Sequence, residues 1–353
     1  MTDSISSPAV PTLDATDRRL LHALGINCRA SFRQIAAVLG VSEQTAARRY
    51  RKLRDGGVVR VVMMQATNPA DRGQLVRLEV AAPAARTIAD VLARRPDVSW
   101  VRLMNAGTEI LFGVRARARS ERDLLLLDQL PRVGRILRIV VYSVLHHFRT
   151  PGEADWSGFP DRLQEHERRQ LHTEFPPDMP TLGTKPSDRA IVDELADDGR
   201  ASYARLAQVS GMSESAVARR LEVLMSAGAL YGDVDISPEL LGYPAGAALF
   251  LEVAPAAVPA VGALLAGHSQ TAFVAAVGGP ANLIASIRCR NVAEIYDYVT
   301  NTIGALEGVN RLEVSTVSRT IKHARTTTDE DRLTGIVVNP RNRRPAGRRT
   351  MAP

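Results

Sequence analysis

Residues 31–57 read Ser-Phe-Arg-Gln-Ile-Ala-Ala-Val-Leu-Gly-Val-Ser-Glu-Gln-Thr-Ala-Ala-Arg-Arg-Tyr-Arg-Lys-Leu-Arg-Asp-Gly-Gly. Ser31 is placed to cap a helix over 32–39, whose Phe32, Ile35, Ala36 and Leu39 recur at helical spacing. Gly40 permits the left-handed backbone of a tight turn, and Ser42 caps a further helix over 43–54. That helix turns Ala46, Tyr50 and Leu53 inward and ends at Gly56-Gly57. An earlier helix over 14–24 supplies Leu20, Leu21 and Leu24, next to Leu13. A strand over 58–64 follows and reads as a wing. Helix, glycine turn, helix and strand make a winged helix-turn-helix.

The same reading returns later in the chain. Asp17-Arg18, Arg29-Ala30-Ser31, Ser42-Glu43 and Ala47-Arg48-Arg49 recur at one displacement as Asp188-Arg189, Arg200-Ala201-Ser202, Ser213-Glu214 and Ala218-Arg219-Arg220. From Asp17 to Gly57 no gap is needed, and 16 of 41 positions are identical. One long unit has been copied once, which is not the pattern of a solenoid.

Behind each helix-turn-helix the periodicity changes. Strands over 75–82, 98–105, 110–114 and 136–145 alternate with helices over 84–94 and 120–130. The order is βαββαβ, the ferredoxin-like split unit. The second copy repeats it over 247–254, 258–267, 272–277, 283–288, 292–303 and 312–318. The fold class expected is α+β: two copies of a winged helix-turn-helix domain, each followed by a ferredoxin-like βαββαβ domain. Expected boundaries are 13–66 and 71–149 for the first copy and 186–236 and 240–325 for the second. A proline-rich linker over 150–185 joins them, with one short helix near 161–172. Residues 326–353 read as a basic disordered tail.

Composition narrows the function. The 353 residues carry a net charge of +7 with 45% apolar residues, as expected of a globular protein with an acidic partner. The two cysteines, Cys28 and Cys289, support neither a disulfide framework nor a zinc site. No metal or cofactor is expected. The start lacks a signal peptide's basic and apolar regions, and 242–267 is broken by Glu252, Pro255 and Pro259. A cytoplasmic, nucleoid-associated protein with no membrane partner is the expectation.

A helix-turn-helix offers the start of its second helix to base edges in the major groove of double-stranded DNA. Here that presents Ser42, Glu43, Gln44, Thr45, Arg48 and Arg49. Arginine grips guanine, glutamine grips adenine, and threonine meets the thymine methyl. Arg51, Lys52, Arg54 and Arg60 are candidates for phosphates, which position without specifying. The second copy offers Ser213, Ser215, Arg219 and Arg220. Its charge is weaker: 42–60 holds six basic and two acidic residues, whereas 213–231 holds two of each. Phosphate contacts dominate affinity, so the first motif is expected to lead.

The set Leu13-Asp14-x-x-Asp17-x-x-Leu20-Leu21, Arg29, Ser31, Ile35-Ala36-x-x-Leu39-Gly40-Val41-Ser42, Arg49-x-x-x-Leu53 and Gly57-Val58-Val59 resembles the leucine-responsive/AsnC family of transcription regulators. The second copy carries the pattern at Asp188, Arg200, Leu206-Ala207, Gly211-Met212-Ser213, Arg220, Leu224 and Gly228. The resemblance implies a non-enzymatic regulator whose βαββαβ domains pair and bind a small effector, often an amino acid, at a glycine-bearing turn. That turn would be Asn105, Gly107 and Thr108 in the first copy and Gly278, Gly279 and Asn282 in the second. The family's usual Asp, three residues after the glycine, is replaced by Ile110 and Asn282. Pairing within the chain as a pseudo-dimer, or between chains as a homo-oligomer, are both open. Two rivals remain: a siroheme-type tetrapyrrole decarboxylase, which resembles this two-part fold but places histidines where 61–69 and 232–243 have none, and an architectural protein with weakened DNA binding.

Overall fold

The computed structural model describes residues 12–65, 73–114, 119–149, 156–172, 184–329 and 332–336. The first helix-turn-helix is α1 (Ala15–Ile26), α2 (Phe32–Leu39) and α3 (Glu43–Asp55). Asp14 caps α1 by accepting the Asp17 amide, and Ser31 and Ser42 cap the next two helices. Gly40 closes α2 at φ 67°, with open space around it, so its backbone conformation and not crowding selects glycine. Leu20, Leu21, Leu24, Ile35, Ala46 and Leu53 form the core between the three helices.

The chain then runs through β1 (Val59–Gln65), and the first βαββαβ unit follows: β2 (Gln74–Val80), α4 (Ala85–Ala93), β3 (Val98–Met104), β4 (Glu109–Val114), α5 (Arg119–Asp123) and β5 (Ile136–Arg149). After α6 (Glu165–Leu171) the second copy repeats the plan. Its helix-turn-helix is α7 (Arg189–Asp197), α8 (Tyr203–Ser210) and α9 (Glu214–Ser226), followed by β6 (Leu230–Ile236). Its sensor unit is β7 (Ala245–Val253), α10 (Val258–Gly267), β8 (Thr271–Gly278), β9 (Leu283–Cys289), α11 (Val292–Asp297) and β10 (Val309–Lys322). The expected helices over 120–130 and 292–303 begin as α5 and α11 and continue as π-helical turns, Leu124–Gln129 and Tyr298–Ile303.

The strand expected as a wing does not fold back on its own domain. β1 pairs antiparallel with β6, its equivalent in the other copy, from Val59↔Ile236 to Gln65↔Leu230. Val62 lies opposite Asp233, and these two occupy the same place in the repeat, so a pseudo-twofold axis passes between them. The strands also exchange side chains. Met63 enters the core of the second helix-turn-helix, and Val234 and Ile236 enter the first. A lone two-stranded ribbon is marginal in water; two helical cores sandwich this one.

The sensor units merge further. Each makes a four-stranded sheet in ferredoxin-like order, β5-β2-β4-β3 and β10-β7-β9-β8. β5 then pairs with β8, and β10 pairs with β3, so eight strands close into one ring. Closure removes every edge that the eight strands would otherwise expose. It also explains why β5 and β10 outrun the lengths expected from sequence, 136–145 and 312–318. The extra residues at their C-terminal ends pair with the other copy. Phe148 packs on the second copy's core and Ile321 is buried in the first copy's. Arg149 donates to the Ala266 carbonyl near the end of α10, and Lys322 donates to the Arg95 and Val98 carbonyls just beyond α4. Basic side chains of the opposite copy thus donate hydrogen bonds near the C-terminal ends of both helices.

Two further expectations change. Part of the linker packs down: Phe159, Leu163 and Leu171 join the core of the first helix-turn-helix, and Trp156 is buried. The sheet also does not stop at 325. Residues expected in the tail form β11 (Thr326–Asp329) and β12 (Arg332–Ile336), which extend from β10. Leu333 donates its amide to the Gly57 carbonyl, tying this extension to the end of α3. The basic stretch 341–349 lies outside the described residues. No helix among the described residues is long and apolar enough to cross a membrane.

Candidate nucleic-acid interface

Each helix-turn-helix exposes the start of its second helix. Ser42 and Ser213 accept the amides of Thr45 and Ala216, which stops α3 and α9 from fraying. Glu43, Gln44, Arg48, Arg51 and Lys52 are exposed, and Thr45 is half-buried. On α9 the exposed set is Glu214, Ser215, Arg219 and Glu222. Arg48 and Arg219 occupy equivalent places and both reach solvent.

The structure gives other work to several expected DNA contacts. Arg49 bonds Asp14 and Asp17 at 2.7 Å each, and Arg220 grips Asp188 with two bonds at 2.8 and 2.6 Å. These pairs pin each recognition helix to the first helix of its domain. The Arg220 guanidinium bonded to it holds the Asp188 carboxyl below its usual range. Arg54 pairs with Asp55, and Arg60 holds the carbonyls of Arg54 and Val59 at the end of α3. Arg49, Arg60 and Arg220 therefore help build the motif, the Arg54 side chain meets only its exposed neighbour Asp55 among the bonds described, and Gln44, Arg48, Arg51 and Lys52 face outward.

Sequence reasoning noted the repeated Arg29 and Arg200 but not their purpose. Arg29 donates to the carbonyls of Gly199 and Ala201, while Arg200 donates to those of Cys28 and Ala30. The four acceptors are the neighbours of the two arginines themselves. Each arginine thus clamps the loop that carries the other. Arg200 also lies over the Phe32 ring, 4.6 Å from its centroid. Arg29 lies over the Tyr203 ring, the equivalent position. The signal available in sequence was an arginine kept beside a helix start in both copies.

The turns expected to hold an effector make hydrogen bonds and contacts to the opposite copy and within their own. Asn105 donates to Ser315 and accepts the Thr316 amide, and the Ala106 amide donates to Ser318. Gly107 has φ 86°, and Thr108 donates back to the Asn105 carbonyl. In the second copy Gly278 pairs with Ser143, Gly279 lies against Tyr142, and Asn282 bonds both backbone groups of Val253. Open space lies elsewhere. A cavity of about 100 Å³ inside the ring is lined by Trp100, Arg102, Leu111, Phe273, Ile284 and Lys322, among others. Equivalent pairs such as Trp100 with Phe273 and Leu111 with Ile284 place it on the pseudo-twofold axis. Asp233 and Asp235 of β6 also line it. Burial pushes the Lys322 ammonium down to about 7.

Known proteins share these parts. Residues 13–54 and 187–225 match the AsnC-type helix-turn-helix domain, and 247–327 match the Lrp/AsnC ligand binding domain. Regulatory protein AsnC of Escherichia coli K12 is 26% identical over 142 residues, covering 38% of this chain and 93% of that protein. The HTH-type transcriptional regulator FL11 of Pyrococcus horikoshii is 27% identical over 136 residues, covering 38% of this chain and 89% of that protein. Among solved structures, the siroheme decarboxylase NirDL superposes with a TM-score of 0.59 at 17% identity, over 88% of this chain and 93% of that one. That likeness concerns the fold alone. The repeated helix-turn-helix and the ligand-binding domain behind it show that the chain belongs to the Lrp/AsnC family of transcriptional regulators, in a tandem form.

Proposed function

We propose that this chain is a sequence-specific DNA-binding regulator that reads a two-part operator with one polypeptide. The observation that carries the reading is the pair of capped recognition helices, held about a pseudo-twofold axis by the β1–β6 ribbon and the Arg29–Arg200 clamps. Twofold-related helices fit half-sites in successive major grooves. The two halves differ in strength. α3 presents Arg48, Arg51 and Lys52, whereas α9 presents Arg219 with Glu214 and Glu222. We therefore assign the stronger half-site to the first motif. A small effector, an amino acid or a relative of one, biases the arrangement from the cavity inside the ring. β6 connects that cavity directly to α9. The chain acts in the cytoplasm, without catalysis.

The test is binding of operator fragments selected from random sequence, followed by fluorescence anisotropy over a salt series. Arg48→Ala is expected to weaken binding by about 10- to 100-fold and to relax preference in one half-site. Arg219→Ala should cost clearly less. Equal losses would refute the asymmetry, and no sequence preference would refute the function.

The likeness to NirDL favours one other reading, a tetrapyrrole-binding enzyme. NirDL has also been solved with an iron-uroporphyrin III analogue. The interior of this chain argues against it. Pockets for drug-sized ligands run to about 300–1,000 Å³; the cavity inside the ring is about 100 Å³, and a larger pocket of about 460 Å³ lies apart from it, lined by Tyr243, Arg288, Arg290 and Tyr298 among others. Titration with iron-uroporphyrin III should leave its absorption spectrum unchanged; a saturable shift would revive the enzyme.

A further inference from the structure

We infer that the two copies are sterically keyed, so that the pairing surface of the first copy accepts a second copy and rejects another first copy. Three junctions on the pseudo-twofold interface carry this, and each occurs twice with different residues.

The first lies at the clamp loops. A Cβ added to Gly232 would sit 2.1 Å from the Cys28 Sγ. At the equivalent junction the glycine is on the loop instead: Gly199 faces Val61, and a Cβ there would meet its Cγ1 at 3.0 Å. The first copy thus brings Cys28 and Val61, both with side chains, and the second brings Gly199 and Gly232. The second junction lies where the ends of β5 and β10 cross over. A Cβ on Gly262 would sit 2.3 Å from the Phe148 ring. Its counterpart packs Ala89 with Ile321 in one core. The third lies at the turns, where a Cβ on Gly279 would sit 2.7 Å from the Tyr142 ring. There the counterparts are Ala106 and Ser315.

All three junctions have the same polarity. Two first copies would oppose Cys28 to Val61, Phe148 to Ala89 and Tyr142 to Ala106. Two of those contacts place a Cβ closer to an aromatic ring than real carbon atoms approach, and the third opposes two side chains where the structure allows one. Two second copies would oppose Gly199 to Gly232, Ile321 to Gly262 and Ser315 to Gly279, leaving voids. Interiors tolerate neither overlap nor holes. Only unlike copies fill the interface, and specificity set by clashes against the wrong partner is the expected device. The partner that fits is the second copy of the same chain.

The test uses the full chain. G232V and G262A each overfill one junction and should lower the melting temperature by about 3–6 °C. C28G/G232V and F148I/G262A rebuild each junction in the form its counterpart already has, and each should recover at least half of the loss. Double variants no better than the single ones would overturn the keying, because coupled neighbours must be non-additive. A third variant reads the rejected pairing directly. Val62 would face Val62 across the axis of a dimer of first copies. V62C should therefore give no disulfide-linked dimer under mild oxidation, and a covalent dimer of twice the chain mass would refute the inference.

Discussion

Acid should release the packed segment 156–172 through one histidine. His22 on α1 is fully buried, and its Nδ1 accepts the Leu163 amide at 3.1 Å. Burial, aided by the positive Arg162 and Arg168, lowers its pKa to about 4. The folded chain therefore keeps a neutral imidazole, while the unfolded chain takes up a proton near 6.5. Stability from this group is complete above about pH 6.5 and is lost as the pH falls towards 4. Each unit of pH in that window costs about 1.4 kcal/mol, so at pH 4.5 the loss is about 2.5 kcal/mol. His22→Asn places an amide oxygen near the Nδ1 site and cannot titrate. Urea unfolding followed at Trp156, in a Trp100→Phe background, measures both chains from pH 7 to 4.5. Their difference isolates the histidine from other titrating groups. If the Asn variant loses as much stability on acidification as the parent, His22 is not the group responsible.

Four other outcomes are expected. Lys322 acts with the same sign in an alkaline window. Its pKa falls from 10.5 to about 7 through burial, so the unfolded chain holds a proton that the folded chain lacks, and stability should rise by about 2 kcal/mol from pH 7 to 9 in the parent but not in Lys322→Met. Arg77 joins Glu109 of its own copy to Glu313 of the other, and Arg77→Met should cost about 3 kcal/mol in urea unfolding, because two carboxylates are left facing each other. Gly40→Ala should cost about 1–2 kcal/mol by the same measurement, all of it backbone strain, since nothing lies near the added carbon. Arg29→Ala combined with Arg200→Ala should leave each helix-turn-helix folded by circular dichroism yet weaken operator binding at least tenfold.

The sequence made some of this legible and hid the rest for a physical reason. Caps, glycine turns and apolar periodicity act within a few residues, so Ser31, Gly40 and Ser42 announced the helix-turn-helix and their counterparts announced its copy. Contacts between the copies have no local signature. Nothing around Val59 says that its partner is Ile236, and nothing in the run after Leu145 says that Phe148 will enter the other copy's core. The same limit applies to the site. Arg49 and Arg220 carry charge on a recognition helix, but the carboxylates that take them are 32 or more residues away. At the Asn105 turn the partners Ser315 and Thr316 lie more than 200 residues further on. What remained visible was the outward face: Gln44, Arg48, Arg51 and Lys52 need no partner to be where they are.

The β1–β6 ribbon has a consequence for dose. A regulator that must find a second chain before it can read DNA loses its active form as the square of dilution. Here the two halves of the ribbon are tethered, and the local concentration of each around the other is set by the connecting chain and not by expression. Occupancy of the operator should then follow the first power of chain number, down to a few molecules per cell. A shared chain also lets the two helix-turn-helix motifs diverge without either losing its partner.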